Sequence, residues 1–261
     1  VTLPDARQDL KEALGDLDEV GIALISNAFS AAEIDEARAT TMSLAAFERE
    51  DGSALLHGGT QRIYGLIQKA PIFRRLVVNP QMLALVHHIL GPRIMLYSMQ
   101  AHIVPQGGEM DPHFDQLEFS PLPPFVCTAA AVIMLEDFTA ENGATRIAMG
   151  CLAKDPGESP PPVETMTPMV GAKGTLAAYG GLLWHSTGVN RTQTPRCGLL
   201  LHFCLPWVRQ HENYQRTISA AVARDMSPEL RDLLGIHERL FGRRWRSSAP
   251  EFRPARLSPD E

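Results

Sequence analysis

Ile94-Met95-Leu96-Tyr97-Ser98-Met99-Gln100-Ala101-His102-Ile103-Val104 is where the periodicity of the chain changes. The run is mostly apolar and is broken at every second residue by Ser98, Gln100 and His102, the two-residue period of a strand with one polar face. Three more apolar runs of strand length follow, over residues 125–135, 175–179 and 197–205. Between them lie Gly107-Gly108, Asn142-Gly143 and a proline-rich stretch over residues 155–168. Many short strands parted by glycine and proline turns predict a mainly β jelly roll over residues 93–206. The 155–168 loop is long enough for a lid and reads equally well as a solvated loop.

Outward from this core the pattern is helical. Residues 3–20 carry apolar side chains at roughly helical spacing, and residues 21–25 read as a short strand. Ser30 and Glu33 form a capping box that predicts a helix to about Glu50. A glycine-rich loop over residues 51–59 follows, then a helix over residues 80–90 closed by Gly91-Pro92. Beyond Pro206, Ser227-Pro228-Glu229 starts a helix expected to run through residues 230–240. Arg243, Arg244, Arg246, Arg253 and Arg256 make a basic tail. With no internal repeat and no linker, the chain reads as one domain over 1–261: a helical front (1–92), a jelly-roll core (93–206) and a helical tail (207–261).

The composition excludes several classes. A net charge of −6 gives no basic excess with which to displace counterions from nucleic acid. The longest apolar runs are about half of the ~20 residues that a membrane-spanning helix needs, so no membrane span is expected. No basic segment followed by an apolar stretch opens the chain, which points to a cytoplasmic protein. Cys127, Cys151, Cys197 and Cys204 form no C-x-x-C pair and read as small core residues in a reducing compartment.

Chemistry concentrates in two segments. Asp111-Pro112-His113-Phe114-Asp115 contains His-x-Asp, which on a strand presents an imidazole and a carboxylate on one face. His185 lies 70 residues after Asp115, far enough along for a jelly roll to return to the same cavity. Two histidines and one carboxylate are the facial triad of non-haem Fe(II) oxygenases, which leaves three coordination positions free. A bidentate 2-oxo acid takes two of these and O2 the third.

The segment His185-Ser186-Thr187-Gly188-Val189-Asn190, followed by Arg196 eleven residues after His185, together with His113-x-Asp115, resembles the phytanoyl-CoA dioxygenase family of Fe(II)/2-oxoglutarate oxygenases. Asn142-Gly143-Ala144-Thr145 is similar to that family's turn between strands. The resemblance implies a double-stranded β-helix of the cupin-like kind. It implies Fe(II) on His113, Asp115 and His185, with 2-oxoglutarate as cofactor and O2 as cosubstrate. Arg196 would grip the distal carboxylate of the oxo acid in a bidentate fork, with Thr187 adding a hydroxyl. Arg191 is the competing cation. The family's layout makes Gln100 and His102 candidates for the cosubstrate pocket, and Arg62 and Tyr64 candidates for substrate contacts.

Two departures stand out. Ala148-Met149-Gly150-Cys151 lacks the family's usual Pro-Gly-Ser-His ending, and Asp111 stands where a neutral polar residue is common. Asp111 could face a cationic group of the substrate or simply shape the turn at Pro112. The expected activity is oxidation, in the first place hydroxylation, of an unactivated C–H bond in a small molecule of secondary metabolism or an amino-acid derivative. Desaturation, epoxidation and cyclisation use the same cofactors. Chlorination is disfavoured, because Asp115 fills the position that chloride would need. A zinc hydrolase would leave Arg196 and Thr187 without a purpose, and a non-catalytic metal-binding jelly roll would not need an intact triad.

Overall fold

The computed structural model describes residues 2–236, with the backbone of two short paired strands at Arg239–Leu240 and Arg243–Arg244. The front holds α1 (Leu10–Val20), β1 (Ile22–Ile25), α2 (Ala31–Glu50), β2 (Leu55–His57), β3 (Thr60–Ile63), α3 (Leu66–Lys69), α4 (Pro71–Leu76) and α5 (Pro80–Leu90). The middle holds β4 (Met95–Val104), β5 (Met110–His113), β6 (Thr128–Met134), β7 (Thr145–Leu152), β8 (Thr167–Pro168), β9 (Leu176–Gly180), β10 (Leu183–Thr187) and β11 (Arg196–Cys204). The tail holds α6 (Tyr214–Thr217), α7 (Ala220–Arg224) and α8 (Pro228–Leu234).

Two antiparallel sheets form the jelly roll. The larger runs β1-β9-β6-β11-β4-β3-β2 and the smaller β5-β10-β7-β8. The larger sheet is covered on both faces, which is why β6 and β11 read as nearly unbroken apolar runs. On β6, Ala129, Ala131 and Ile133 pack in one cluster with α5 residues such as Leu85 and Val86. Ala130, Val132 and Met134 join a second cluster with Ile147 of β7 and Leu183 of β10. On β11, Leu199, Leu201 and Phe203 belong to the helix-side cluster. Arg196, Gly198, Leu200 and His202 alternate with them and face the space between the sheets. Each large apolar side chain so buried contributes about 1.5–3 kcal/mol.

The caps follow the sequence. Asp9 accepts from the Lys11 and Glu12 amides, and Ser30 and Glu33 complete the capping box of α2. Several boundaries differ from the periodicity. The first helix starts at Leu10, after its Asp9 cap, while Arg7 makes an isolated bridge to Ile25. The front is not wholly helical: β1 pairs with β9, and the 51–59 loop contains β2, whose hairpin with β3 extends the sheet beyond β4. The helix expected over residues 230–240 ends at Leu234, because Gly235 takes the left-handed conformation (φ 68°) that closes α8. The basic-tail side chains lie outside the described residues. Cys127, Cys197 and Cys204 are buried, whereas Cys151 is exposed on β7 and is no core residue. Among the described residues no helix is long and apolar enough to cross a membrane.

The Ser30 cap gives a stability prediction. Ser30→Ala removes the acceptor for the Glu33 amide and should lower unfolding free energy by about 1 kcal/mol, with Ser30→Gly costing less. Urea denaturation of the two variants measures the difference, and equal midpoints would deny the capping box a role.

Candidate active site

β5 and β10 are neighbours in the smaller sheet, and His113 and His185 are direct register partners across them. Cross-strand partners share a face, and the two imidazole centroids lie 4.3 Å apart. β5 ends at His113, and Asp115 opens a 3-10 turn (Asp115–Glu118) instead of continuing the strand expected from the sequence. Phe114 stays extended (φ −131°, ψ 146°), so Asp115 still emerges on the side of His113. One ligand atom from each of His113, Asp115 and His185 falls within 4.8 Å of the others, and the three could hold a metal ion.

Both imidazoles are held by their own backbone. His113 Nδ1 bonds the Asp111 carbonyl at 2.9 Å, and His185 Nδ1 bonds the Leu183 carbonyl at 3.0 Å. A carbonyl accepts only, so each Nδ1 carries the proton and each Nε2 presents a lone pair. Burial, reinforced by His185 nearby, lowers the His113 pKa to about 4, which keeps that imidazole neutral at pH 7. Burial alone would raise the Asp115 carboxyl, but the imidazoles of His202 and His185 outweigh it and hold it below the ordinary carboxylate range. Asp115 Oδ2 is buried with no hydrogen-bond partner among the described residues.

Arg196, the first residue of β11, is 1% exposed. Its Cζ lies 4.3 Å from the centroid of the Phe138 ring, and its Nε and Nη2 have no hydrogen-bond partner among the described residues. Burial lowers its pKa to about 10, so the charge persists at neutral pH. A buried cation without a partner costs several kcal/mol, so the arrangement favours an anion. Arg191 is exposed in the preceding turn. Asn190 of the same segment is structural: its amide donates to the Val104 and Thr194 carbonyls.

The inner face of β4 supplies more polar groups. Ser98, Gln100 and His102 pair with His202, Leu200 and Gly198 of β11. His102 is buried with an unpartnered Nε2; burial first, then Arg196 and Arg62, hold its pKa well below the ordinary value. Arg62 on β3 is the register partner of His102 and turns inward, its Nη1 donating to Gln100 Oε1 at 2.8 Å and its Nη2 to Met110 Sδ at 2.8 Å. Thr187 is buried on β10. Tyr64 lies apart from these, stacked on His211 at 5.9 Å, and the Asp111 side chain is exposed while its carbonyl serves His113.

Two features escape the sequence reading. His202 Nε2 lies 3.4 Å from Asp115 Oδ1, although the residue sits inside a run read as apolar strand. Its even spacing from Arg196 is the signal that finds it. Tyr97 owes its place to a register shift between β4 and β11, where His202 pairs with Ser98 but Phe203 pairs with Leu96. The bulge re-aims Tyr97 toward Phe119 and His211, and its hydroxyl donates to Glu118 at 2.9 Å. A bulge leaves no mark in apolar periodicity.

The model of the phytanoyl-CoA dioxygenase (PhyH) family matches residues 17–198. The Aspergillus fumigatus protein "Dioxygenase af480" is 26% identical over 243 residues, which cover 89% of this chain and 79% of that one. The carbocyclase SnoK of nogalamycin biosynthesis, described as a non-heme α-ketoglutarate-dependent enzyme, superposes with a TM-score of 0.63 at 19% identity, covering 78% of this chain and 87% of its own. HygX of Streptomyces hygroscopicus, solved with nickel, 2-oxoglutarate and hygromycin B, superposes with a TM-score of 0.61 at 17% identity, covering 77% and 90%. With the family's model running through both the His113–Asp115 pair and His185, this chain belongs to the phytanoyl-CoA dioxygenase family of Fe(II)/2-oxoglutarate-dependent enzymes.

Proposed function

We propose that this enzyme hydroxylates an unactivated C–H bond of a small molecule of secondary metabolism, with one Fe(II) on His113, Asp115 and His185. The observation that carries this reading is a triad of donor atoms within 4.8 Å, together with a buried guanidinium with two unpartnered nitrogens on the strand whose His202 lies 3.4 Å from Asp115. The donor set fits iron: two imidazoles and one carboxylate on one side, with three positions left open. When bound, iron and 2-oxoglutarate would supply the O2 activation, with conversion of the oxo acid to succinate and CO2, that oxidation of an unactivated carbon needs.

The chain's own residues do the rest. Arg196 offers unpartnered N–H groups to the distal carboxylate of the oxo acid, and the Phe138 ring under the guanidinium limits its movement. Thr187, buried on β10 two residues after His185, is the candidate for an added hydroxyl contact. Gln100, held by Arg62, and the neutral His102 line the cosubstrate side. Burial of these groups excludes water and strengthens each electrostatic contact. Tyr64 and the exposed Asp111 are the remaining candidates for substrate contacts, while Arg62 is engaged with Gln100 and Met110. Near them, Tyr64, His211, Tyr97 and Phe119 make a chain of ring contacts beside the Asp115 turn. Exposed Phe125 and Trp207 pair at 6.2 Å. Such surfaces suit a ring-bearing, largely apolar substrate. The fold shared with SnoK of nogalamycin biosynthesis and with HygX bound to hygromycin B supports a small molecule of secondary metabolism as the substrate class.

Three outcomes are expected. Anaerobic Fe(II) and 2-oxoglutarate should give the wild-type protein a weak visible charge-transfer band, and His113→Ala should lose both iron retention and the band; a His113→Ala protein that keeps both refutes the ligand assignment. Arg196→Leu should weaken 2-oxoglutarate binding at least tenfold, because a charge-assisted contact is worth about 1.5–3 kcal/mol. The same change should leave the melting temperature of the metal-free protein unchanged or raised, since it removes an unpartnered buried charge. Arg191→Leu should do neither, and the opposite ranking in a binding titration sinks the Arg196 assignment. In a turnover screen with saturating chloride, mass spectrometry should find product that has gained oxygen. Product that has lost two hydrogens instead would indicate desaturation or cyclisation, and a chlorinated product would contradict the role of Asp115.

A further inference from the structure

We infer that His202 is the positioning residue of the Asp115 carboxylate, a role that rests on the metal-site reading and extends it. The three members of the triad are not equally supported. His113 and His185 sit on paired strands, and each is tied through Nδ1 to a backbone carbonyl. Asp115 has neither support: its strand has ended, and it opens a single 3-10 turn. A ligand on such a turn needs a partner to fix its side chain.

His202 is placed to be that partner. It projects from the cavity side of β11, between Ser98 on β4 and Ala130 on β6. The small Ala130 leaves the imidazole room. His202 Nδ1 lies 3.2 Å from Ser98 Oγ, and Nε2 lies 3.4 Å from Asp115 Oδ1. Both the imidazole and the carboxylate are largely buried, so water competes weakly. With the Ser98 hydroxyl donating to Nδ1, Nε2 is the ring nitrogen left to carry a proton on the side of Asp115. The donors then run one way, Ser98 to His202 to Asp115.

The coordination count gives this arrangement a purpose. Three protein donors leave three positions, all of which the oxo acid and O2 need. A carboxylate free to swing could offer both oxygens and close one of them. Engaged by His202, Asp115 would offer a metal a carboxylate held in one orientation. The same strand carries Arg196, six residues away on the same face, so β11 would fix the cosubstrate anchor and the metal carboxylate together.

Cobalt(II) titration of the metal-free protein tests this without turnover. His202→Leu removes the donor, and His202→Gln keeps an N–H near the place of Nε2. Leucine should weaken Co(II) binding by about 10- to 100-fold and alter the Co(II) visible spectrum. Glutamine should restore most of the affinity and the wild-type spectrum. Thermal melts of the metal-free variants show whether each is folded. If the leucine variant does not fold, Ser98→Ala decides: a smaller loss in the same direction supports the relay, and an unchanged affinity overturns it. Wild-type Co(II) binding in a folded His202→Leu protein, or a glutamine variant as weak as the leucine one, overturns the positioning role alone. A wild-type protein that binds no Co(II) overturns the metal-site reading and this role with it.

Discussion

Strand β11 lies between β6 and β4 with helices against one face and the second sheet across the other, so its side chains must divide by strict alternation. Leu199, Leu201 and Phe203 go to the helices. Arg196, Gly198, Leu200 and His202 go to the cavity. A slip of one residue would put a guanidinium into the helix layer and three large apolar side chains into the site. The register is therefore specified by burial on one side and by charge on the other, and the candidate site inherits its geometry from that division. Gly198 is part of the same device: a Cβ there would meet the Phe138 ring at 2.8 Å, and that ring underlies Arg196.

The cavity concentrates polar groups that the described residues leave unpartnered. Arg196 Nε and Nη2, Arg62 Nε, His102 Nε2 and Asp115 Oδ2 are all buried without hydrogen-bond partners among those residues. Native proteins rarely tolerate such groups, and each costs about 1–3 kcal/mol or more if charged. Borne by β3, β4, β11 and the turn after β5, they have a common explanation in a ligand that carries negative charge and a cation that needs a carboxylate. The proposed dianionic oxo acid and Fe(II) meet both needs, so the apoprotein's local cost becomes binding free energy when they arrive.

Much of this was legible from residue order alone. The two-residue period over Ser98, Gln100 and His102 and the capping box at Ser30 each report a local rule, and the structure follows them. What escaped depends on pairing between distant segments. β2 and β3 are too short to show a period, and only the hydrogen bonds of β3 to β2 and to β4 make them strands. The bulge that re-aims Tyr97 is a relation between two strands, and no single run encodes it. His202 is legible only once Arg196 is known to point inward, because its meaning is its parity.

The expected His-x-Asp strand shows how far local rules reach. The shared face of His113 and Asp115 survives although the strand does not, because Phe114 alone must be extended for the pair to align. Phe114 is held there by burial, packing edge-on against Trp184 at 4.9 Å, and Trp184 is the residue before His185. One aromatic contact thus ties the segment bearing two of the donors to the strand bearing the third. At the far end of β10 a second tie acts through backbone alone. Gly143 has φ 79° and approaches so closely that a Cβ would meet the Gly188 carbonyl at 2.5 Å, while Asn142 bridges to Asn190. Asn190 in turn reaches Val104 at the end of β4, opposite Arg196. The turn between β10 and β11 is clamped from both sides, so the chain enters β11 with Arg196 directed inward and the even positions that follow committed to the cavity.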